Sequence, residues 1–327
     1  MRNHLLALLG LGLLAVLCGC SVSQHLPTPS PTLLSIPSPT LSYPTPSNPV
    51  QSPVELTSTG IPQETTPIAG ATPTLMTSEI FPGISIGPYA VILVAEEDVL
   101  NIRTGAGAGY AINGSFTSTA VNIYRSGPAI TTGGVQWVQV HNPDGGVGWV
   151  NARHLTEYVP PDAFCADARV NTLLAGFGNS LLSSDGDALA ALVSPEHGLA
   201  VSLWRFSTPI VFDQAHARWV FDSTYVHNWG SAPASGMDTI GSFHEAVLPW
   251  LREVFTASTT STCNSLGTAT QFSDHTWPVE YTNYNFYTLF KPGTPGVELD
   301  FRYLLVGVEF VQGQPYLSAV IHFTWEP

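Results

Sequence analysis

Thirteen of the 27 prolines in this chain of 327 residues fall between Pro27 and Pro82, in a stretch that reads PSPTLLSIPSPTLSYPTPSNP from Pro29 to Pro49. Proline fixes φ and brings no N–H, so neither a helix interior nor a central strand tolerates this density. The serines and threonines between the prolines offer too little apolar surface to offset chain entropy. Residues 20–86 are therefore expected to form a disordered Pro/Ser/Thr-rich tether, with a reach of roughly 200 Å at ~3.1 Å per residue. Any core must come from residues 87–327, a length that suits more than one domain.

Before the tether stand a basic tip, MRNH, and an apolar run of 13 residues, LLALLGLGLLAVL. That is a signal-peptide length and falls short of the ~20 residues a membrane-spanning helix needs. The following Leu17-Cys18-Gly19-Cys20 resembles a bacterial lipobox, in which a peptidase cuts before a cysteine that then carries lipid. Cys20 is the candidate for lipidation, because cutting at Cys18 would place bulky Leu17 at the cleavage site. The expectation is a leader over residues 1–19 and a mature chain outside the cytoplasm. Two or more acyl chains would hold it on the membrane, since each buried methylene contributes about 0.8 kcal/mol.

Losing residues 1–19 removes Arg2 and no acid, which leaves 9 Lys and Arg against 24 Asp and Glu, a net charge of −15. Nucleic acids and anionic headgroups are bound through phosphate neutralisation, so this balance disfavours both. Neutral glycans, peptides and cationic groups remain as partners. Of the other two cysteines, Cys165 and Cys263, a disulfide is expected in an oxidising compartment. A thiol nucleophile is the rival, and neither residue sits in a recognisable nucleophile motif.

The remainder divides at Pro160-Pro161. Residues 87–159 hold six short apolar alternations (AVILVA, VLNIR, INGSF, AVNIYR, VQWVQV and VGWVNA) broken by glycines, the pattern of a small all-β barrel. Period 2 turns Leu100 and Ile102 inward, with Asn101 and Arg103 outward. Residues 160–327 begin with helical spacing over Asp162–Asp185 and Asp187–Val193, the second capped by Asp185 or Asp187. A further helix is expected over Asp238–Phe255, interrupted at Pro249. LAVSLWRF, IVFD, ARWVFDS, VEYTNYNFYTLF, VELDFRYLLVGVEFV and PYLSAVIHFTW read as strands, the last two joined through Gln312-Gly313-Gln314 as a hairpin. Helices first and an antiparallel sheet after them make an α+β domain.

The run RTGAGAGYAINGSF raises the question of a phosphate cradle. Such a loop needs a helix after it to supply amide donors. Here a strand follows, so Gly105, Gly107 and Gly109 are expected to serve a loop between strands. VLNIRTGAGAGYAINGSF followed by GVQWVQV and GGVGWVNARHL resembles the bacterial SH3 family over about 70 residues. Ala106 stands where that family usually has proline. The resemblance implies an SH3-like barrel that docks peptidoglycan or a peptide, and it implies a ligand groove at Arg103, Tyr110, Trp137 and Trp149. A structural reading of Trp137 and Trp149, filling or rimming the barrel core, stands beside it.

The C-terminal half, in LVSPEHGLAVSLWRF, NWGSAPASG, FHEAVLPWLREVF and VGVEFVQGQPYLSAVIHFTWEP, resembles a domain of bacterial lipoproteins with no assigned activity. It departs from that pattern at Ser194 and Ala234, where the family tends to have His and Asp. The resemblance implies a pocket at Trp229, Gly230, His322 and Trp325, with fold-determining roles as the alternative.

No catalytic motif is recognisable. A zincin helix needs a second His four residues on, and Leu248 stands there after His244-Glu245. No HxH pair occurs, and the single lysine, Lys291, has Thr288 and not Ser three residues before it. Neither a cofactor nor a metal is implied. The adjacent acids Glu96-Glu97, and Asp185 with Asp187, read as turns and caps. The leading expectation is thus a lipid-anchored extracytoplasmic binding protein. A cell-wall hydrolase is the alternative, with a site assembled from distant residues such as Asp213, His216, Glu245 and His322.

Overall fold

Short apolar alternations from Tyr89 onward pair as strands wherever a glycine or asparagine lets the chain reverse. The structure, a computed structural model, describes residues 87–255, 258–267 and 276–325; the leader, Cys20 and the tether lie outside the described residues. The protein is mostly β-sheet with a few helices. The first seven strands are β1 (Tyr89–Val91), β2 (Val99–Arg103), β3 (Ile112–Thr117), β4 (Arg125–Thr132), β5 (Val135–His141), β6 (Val147–Asn151) and β7 (Leu155–Glu157). Five of them form an antiparallel sheet in the order β3-β2-β6-β5-β4, while β1 and β7 pair separately and Tyr89 bridges Ile123.

With β3 and β4 at opposite edges the sheet is open, and no closed barrel forms among the described residues. AVNIYR, expected as a strand, makes the bridge at Ile123 and joins β4 only at Arg125, because Asn122 adopts a left-handed φ of 59° that interrupts the extended run. The strand falls instead on RSGPAITT, which ends the sheet; an edge position tolerates Pro128, whose missing N–H faces no neighbour. Gly133 and Gly134, with φ of 59° and 78°, turn β4 into β5 as a two-residue hairpin. The inward face carries Leu100, Ile102, Val138, Val140 and Val150, closed by Val91, Ile123 and Leu155. Leu100 and Ile102 are buried as period 2 requires, and Asn101 and Arg103 lie on the other face.

Three helices follow: α1 (Pro161–Ala166), α2 (Ala168–Ser183) and α3 (Gly186–Leu192). Asp167 caps α2 and Asp185 caps α3 by accepting the Ala188 N–H at 2.9 Å. Val170, Leu173, Leu174, Phe177 and Leu181 form the buried stripe of α2. Next come β8 (Leu199–Ser202), β9 (Ile210–Phe212), α4 (Gln214–Ala217), β10 (His227–Ser231) and β11 (Asp238–Gly241). The helix expected from Asp238 therefore begins later. Ser242 and Glu245 make a reciprocal capping box, a wide π-type turn covers Phe243–Val247, and α5 (Leu248–Val254) restarts with Pro249 in its first turn. ARWVFDS is not a strand: Asp213 accepts the His216 N–H at 2.8 Å, starts α4, and leaves Arg218–Asp222 in turns.

Last come β12 (Thr260–Cys263), β13 (Asn285–Lys291), β14 (Arg302–Val311) and β15 (Gln314–Phe323). The six-stranded sheet runs β12-β13-β14-β15-β8-β9 and is antiparallel except for β15 with β8, which pair in parallel from Ala319↔Ala200 to Ile321↔Ser202. Val311 pairs with Gln314 across Gln312-Gly313, with φ of 51° and 72°, so the expected hairpin forms with a two-residue loop. VEYTNYNFYTLF and VELDFRYLLVGVEFV each open on a 3-10 turn, and their strands start only at Asn285 and Arg302. Helices α2 and α5 bury one sheet face with Val306, Val308, Leu317 and Val320. Cys165 and Cys263 are bridged, joining α1 to β12 with Cα atoms 5.8 Å apart.

The other face packs Tyr281, Tyr284, Phe301, Tyr303, Leu305 and Ile321 around Ile92, a residue that follows β1. The Leu93 N–H donates to the Glu280 carbonyl at 2.8 Å, and Asn283 Nδ2 donates to the Val91 carbonyl at 2.7 Å. Pro160 is thus a boundary between two sheets that share a core and a polar seam, and all described residues fall in one unit.

Candidate functional site

An open cleft of about 490 Å³ lies where β9, α4, the turns after α4 and the start of β10 meet. Its floor is an aromatic stack. Phe212 meets Phe243 edge-on at 5.9 Å between centroids and His227 at 5.7 Å, and His227 in turn meets Tyr225 at 4.7 Å. Behind them Trp229 is fully buried and donates its Nε1–H to the Gly241 carbonyl at 3.0 Å, which fixes the ring under the floor. The walls, by contrast, are left in solvent: Trp219 is 61% exposed and Tyr225 68%. Large apolar rings are costly to expose, so two of them flanking one concavity make it the candidate binding surface.

The cleft carries no Asp, Glu, Lys or Arg in its lining; its polar groups are His216, Ser223, Tyr225 and His227. Burial holds the His227 imidazole below its ordinary value, so at neutral pH it offers one donor and one acceptor and no charge. His216 Nδ1 lies 2.7 Å from Asp213 Oδ1 at the rim. The His216 backbone N–H and then its side chain hold the Asp213 carboxyl below the usual carboxylate range. Chemically, this is a surface for an uncharged molecule with flat apolar faces and hydroxyl edges.

Sequence reasoning did not assemble this cleft. Trp219, Tyr225 and Phe212 lie in IVFD, ARWVFDS and the segment after it, all read as strand or left unread. The signal missed was the N-cap: Asp213 with His216 three residues on starts a helical turn and throws Trp219 outward.

Of the residues expected in the SH3-like groove, three meet. Arg103 is the Cα partner of Trp149, and its Nη1–H donates to the Tyr110 carbonyl at 2.8 Å. The Tyr110 ring lies over Gly105, where a Cβ would collide with it. The glycine run is thus the loop from β2 to β3, as expected, with Tyr110 folded back across it. Trp137 lies on the same sheet face by register, opposite Asn151 and two residues from the Trp149 partner Gln139, but it is buried.

The residues expected to share a C-terminal pocket stand apart. Trp229 lies beneath the aromatic cleft, and Gly230 follows it in β10 with φ of 87°. His322 is fully buried between the rings of Trp204 and Trp250, and Trp325 packs on the opposite face of the sheet among the Tyr281 and Phe301 cluster. The four side chains expected in a hydrolase site are likewise taken up locally. Asp213 and His216 pair with each other, Glu245 closes the Ser242 capping box, and His322 Nδ1 bonds the Leu203 carbonyl at 3.2 Å. Burial pushes His322 down to about 3, so it stays neutral. Among the described residues no group of His, Cys, Asp and Glu is arranged to hold a metal ion.

Fold and cleft together define a β-rich protein with helices on one sheet face and an aromatic, uncharged surface concavity. No protein-family model, no curated protein and no solved structure matches this chain.

Proposed function

We propose that this chain is a lipid-anchored extracytoplasmic binding protein whose aromatic cleft takes a neutral glycan, with residues 87–159 acting as an opened SH3-like module that docks cell-wall material. The observation that carries the glycan reading is the cleft itself, a volume of about 490 Å³ walled by exposed Trp219 and Tyr225 and lined by no charged carboxylate or ammonium. A sugar ring presents C–H groups to an aromatic face and hydroxyls to its edges, which matches rings for stacking beside histidines and a serine for hydrogen bonding. The net charge of −15 in the mature chain favours uncharged partners over anionic ones. Order of motifs, and the grouping of Arg103, Tyr110 and Trp149 on one face, support the SH3-like reading. The apolar leader and Cys20 support the anchor, and the proline-rich segment supports a tether between them.

Retention of the full-length chain on purified insoluble peptidoglycan tests the reading. Trp219→Ala should lower the retained fraction at least tenfold without loss of folding, because its side chain is mostly in solvent. Wild-type chain that stays in the supernatant would sink the proposal. Mass spectrometry of protein from native membranes should find Cys20 acylated and residues 1–19 gone.

One observation favours a second reading, a hydrolase: Ser223 lines the same cleft as His216, whose Nδ1 is held by Asp213. In the present geometry Ser223 Oγ accepts the Tyr225 N–H at 3.2 Å. Turnover of wall fragments that is lost in Ser223→Ala and His216→Ala, with binding retained, would establish it.

A further inference from the structure

A second concavity, of about 220 Å³, lies on the seam between the two sheets, and it is polar where the cleft is apolar. Arg125 and Gln136 reach it from the first sheet, Thr156 from β7, Glu196 and His197 from the turn after α3, and Glu309 from β14. Glu309 is 2% exposed. Its Oε2 is occupied, receiving the Thr156 hydroxyl at 3.2 Å and lying 2.7 Å from His197 Nδ1. Its Oε1 is buried and has no partner. A buried carboxylate oxygen without a donor forfeits its hydration with nothing in return, so such an atom is normally satisfied by a bound molecule or ordered water.

Arg125 shows the complementary deficit. Its Nε and Nη2 are buried and unpartnered. Those two nitrogens form one edge of the guanidinium, the edge that grips a carboxylate through two parallel hydrogen bonds. The same small concavity therefore presents an unfilled acceptor on a carboxylate and an unfilled bidentate donor on a guanidinium.

We propose that the seam pocket binds a small zwitterion, an amino acid or dipeptide, with its ammonium on Glu309 Oε1 and its carboxylate on the Nε–Nη2 edge of Arg125. The volume falls below the ~300–1,000 Å³ of sites for drug-sized ligands, which sets the size class. Neither end group alone accounts for both orphaned edges. A cation would leave Arg125 unanswered, and an anion would leave Glu309 Oε1 beside a second acid, Glu196. The site is separate from the aromatic cleft and does not rest on the glycan reading.

The test is calorimetric titration of the full-length chain with L-alanine and L-alanyl-L-alanine, each beside its N-acetyl and C-amide forms. Free zwitterions should bind, and blocking either end should weaken binding at least tenfold. Arg125→Gln should weaken the free dipeptide about tenfold while leaving its C-amide, which has no carboxylate, unchanged. Glu309→Gln should do the converse with the N-acetyl form; because Glu309 also holds His197, the Arg125 variant, on a half-buried side chain, carries the test if that protein misfolds. Trp219→Ala should change none of these affinities. Absence of binding by every free zwitterion at millimolar concentration, equal binding of blocked and free forms, or an Arg125→Gln chain that binds like wild type would overturn the proposal and leave ordered water as the occupant.

Discussion

His197→Ala should be among the most destabilising single changes away from the apolar cores. His197 Nε2 lies 3.0 Å from the Arg153 carbonyl, which only accepts, so that nitrogen carries a proton. Its Nδ1 shares a second proton with Glu309 Oε2 at 2.7 Å, which makes the ring an imidazolium between the two sheets. Burial works against this charge, yet the hydrogen bond and the charge of Glu309 outweigh it and hold His197 above its ordinary value. The pair's side chains are 9% and 1% exposed, so solvent screens it little. Removing the ring leaves the Glu309 carboxylate with the Thr156 hydroxyl alone, and an uncompensated buried charge costs about 3–5 kcal/mol. With a urea m-value of about 2–3 kcal/mol/M, the unfolding midpoint should drop by roughly 1–2 M. A raised histidine contributes stability that is complete below its unfolded value of ~6.5 and is lost as pH rises through the folded one. The gap between wild type and His197→Ala in urea should therefore be widest below the unfolded value of ~6.5 and narrow as pH rises above it. His197→Ala with Glu309→Leu should recover much of the loss, since an apolar pair replaces the ionic one. A midpoint shift corresponding to less than ~1 kcal/mol, or a gap that widens with pH, would refute the assignment of an imidazolium at the seam.

His322 has the opposite sign. Buried and pushed down to about 3, it must gain a proton on unfolding, so acidification from ~6.5 toward 3 should remove stability with a slope approaching 1.4 kcal/mol per pH unit, and His322→Gln should flatten that slope in thermal melts. Cys165→Ser with Cys263→Ser opens a loop with a sequence separation of 98, which the chain-entropy model values at about 4–5 kcal/mol; oxidised wild type treated with reductant should show the same loss in urea. Gly186→Ala should destabilise by about 1–3 kcal/mol despite alanine's helix propensity, because its Cβ would collide with the Arg218 carbonyl oxygen; differential scanning calorimetry would read it.

The parts of the fold that were legible in the sequence are those fixed by local chemistry. The stripe of Val170, Leu173, Phe177 and Leu181 announced α2, Asp185 announced the start of α3, and Gln312-Gly313 announced the hairpin that pairs β14 with β15. Leu100 and Ile102 were placed inward correctly because period 2 leaves no freedom within a strand. What failed depended on competition between elements. ARWVFDS has strand composition, yet one carboxylate, Asp213, satisfies the amide of His216 and a helical turn wins. RSGPAITT is not among the strands expected from the sequence, and its edge position is what accommodates Pro128. Closure of the first sheet was read from motif order, and motif order does not determine whether β3 and β4 meet. The aromatic cleft was hidden for a related reason: its rings come from β9, the turns after α4, and β10. The seam site was beyond reach, since Arg125 and Glu309 are brought to one concavity only by the docking of two sheets.

The bridge between Cys165 and Cys263 has a further effect. Strand β12 ends the six-stranded sheet, and an end strand of four residues is the piece most easily peeled away and exchanged with a neighbouring molecule. Riveted to α1, it cannot leave without carrying a helix with it. Chains held at high local concentration would then stay separate molecules, and a reducing environment would be the condition under which they begin to trade strands and polymerise.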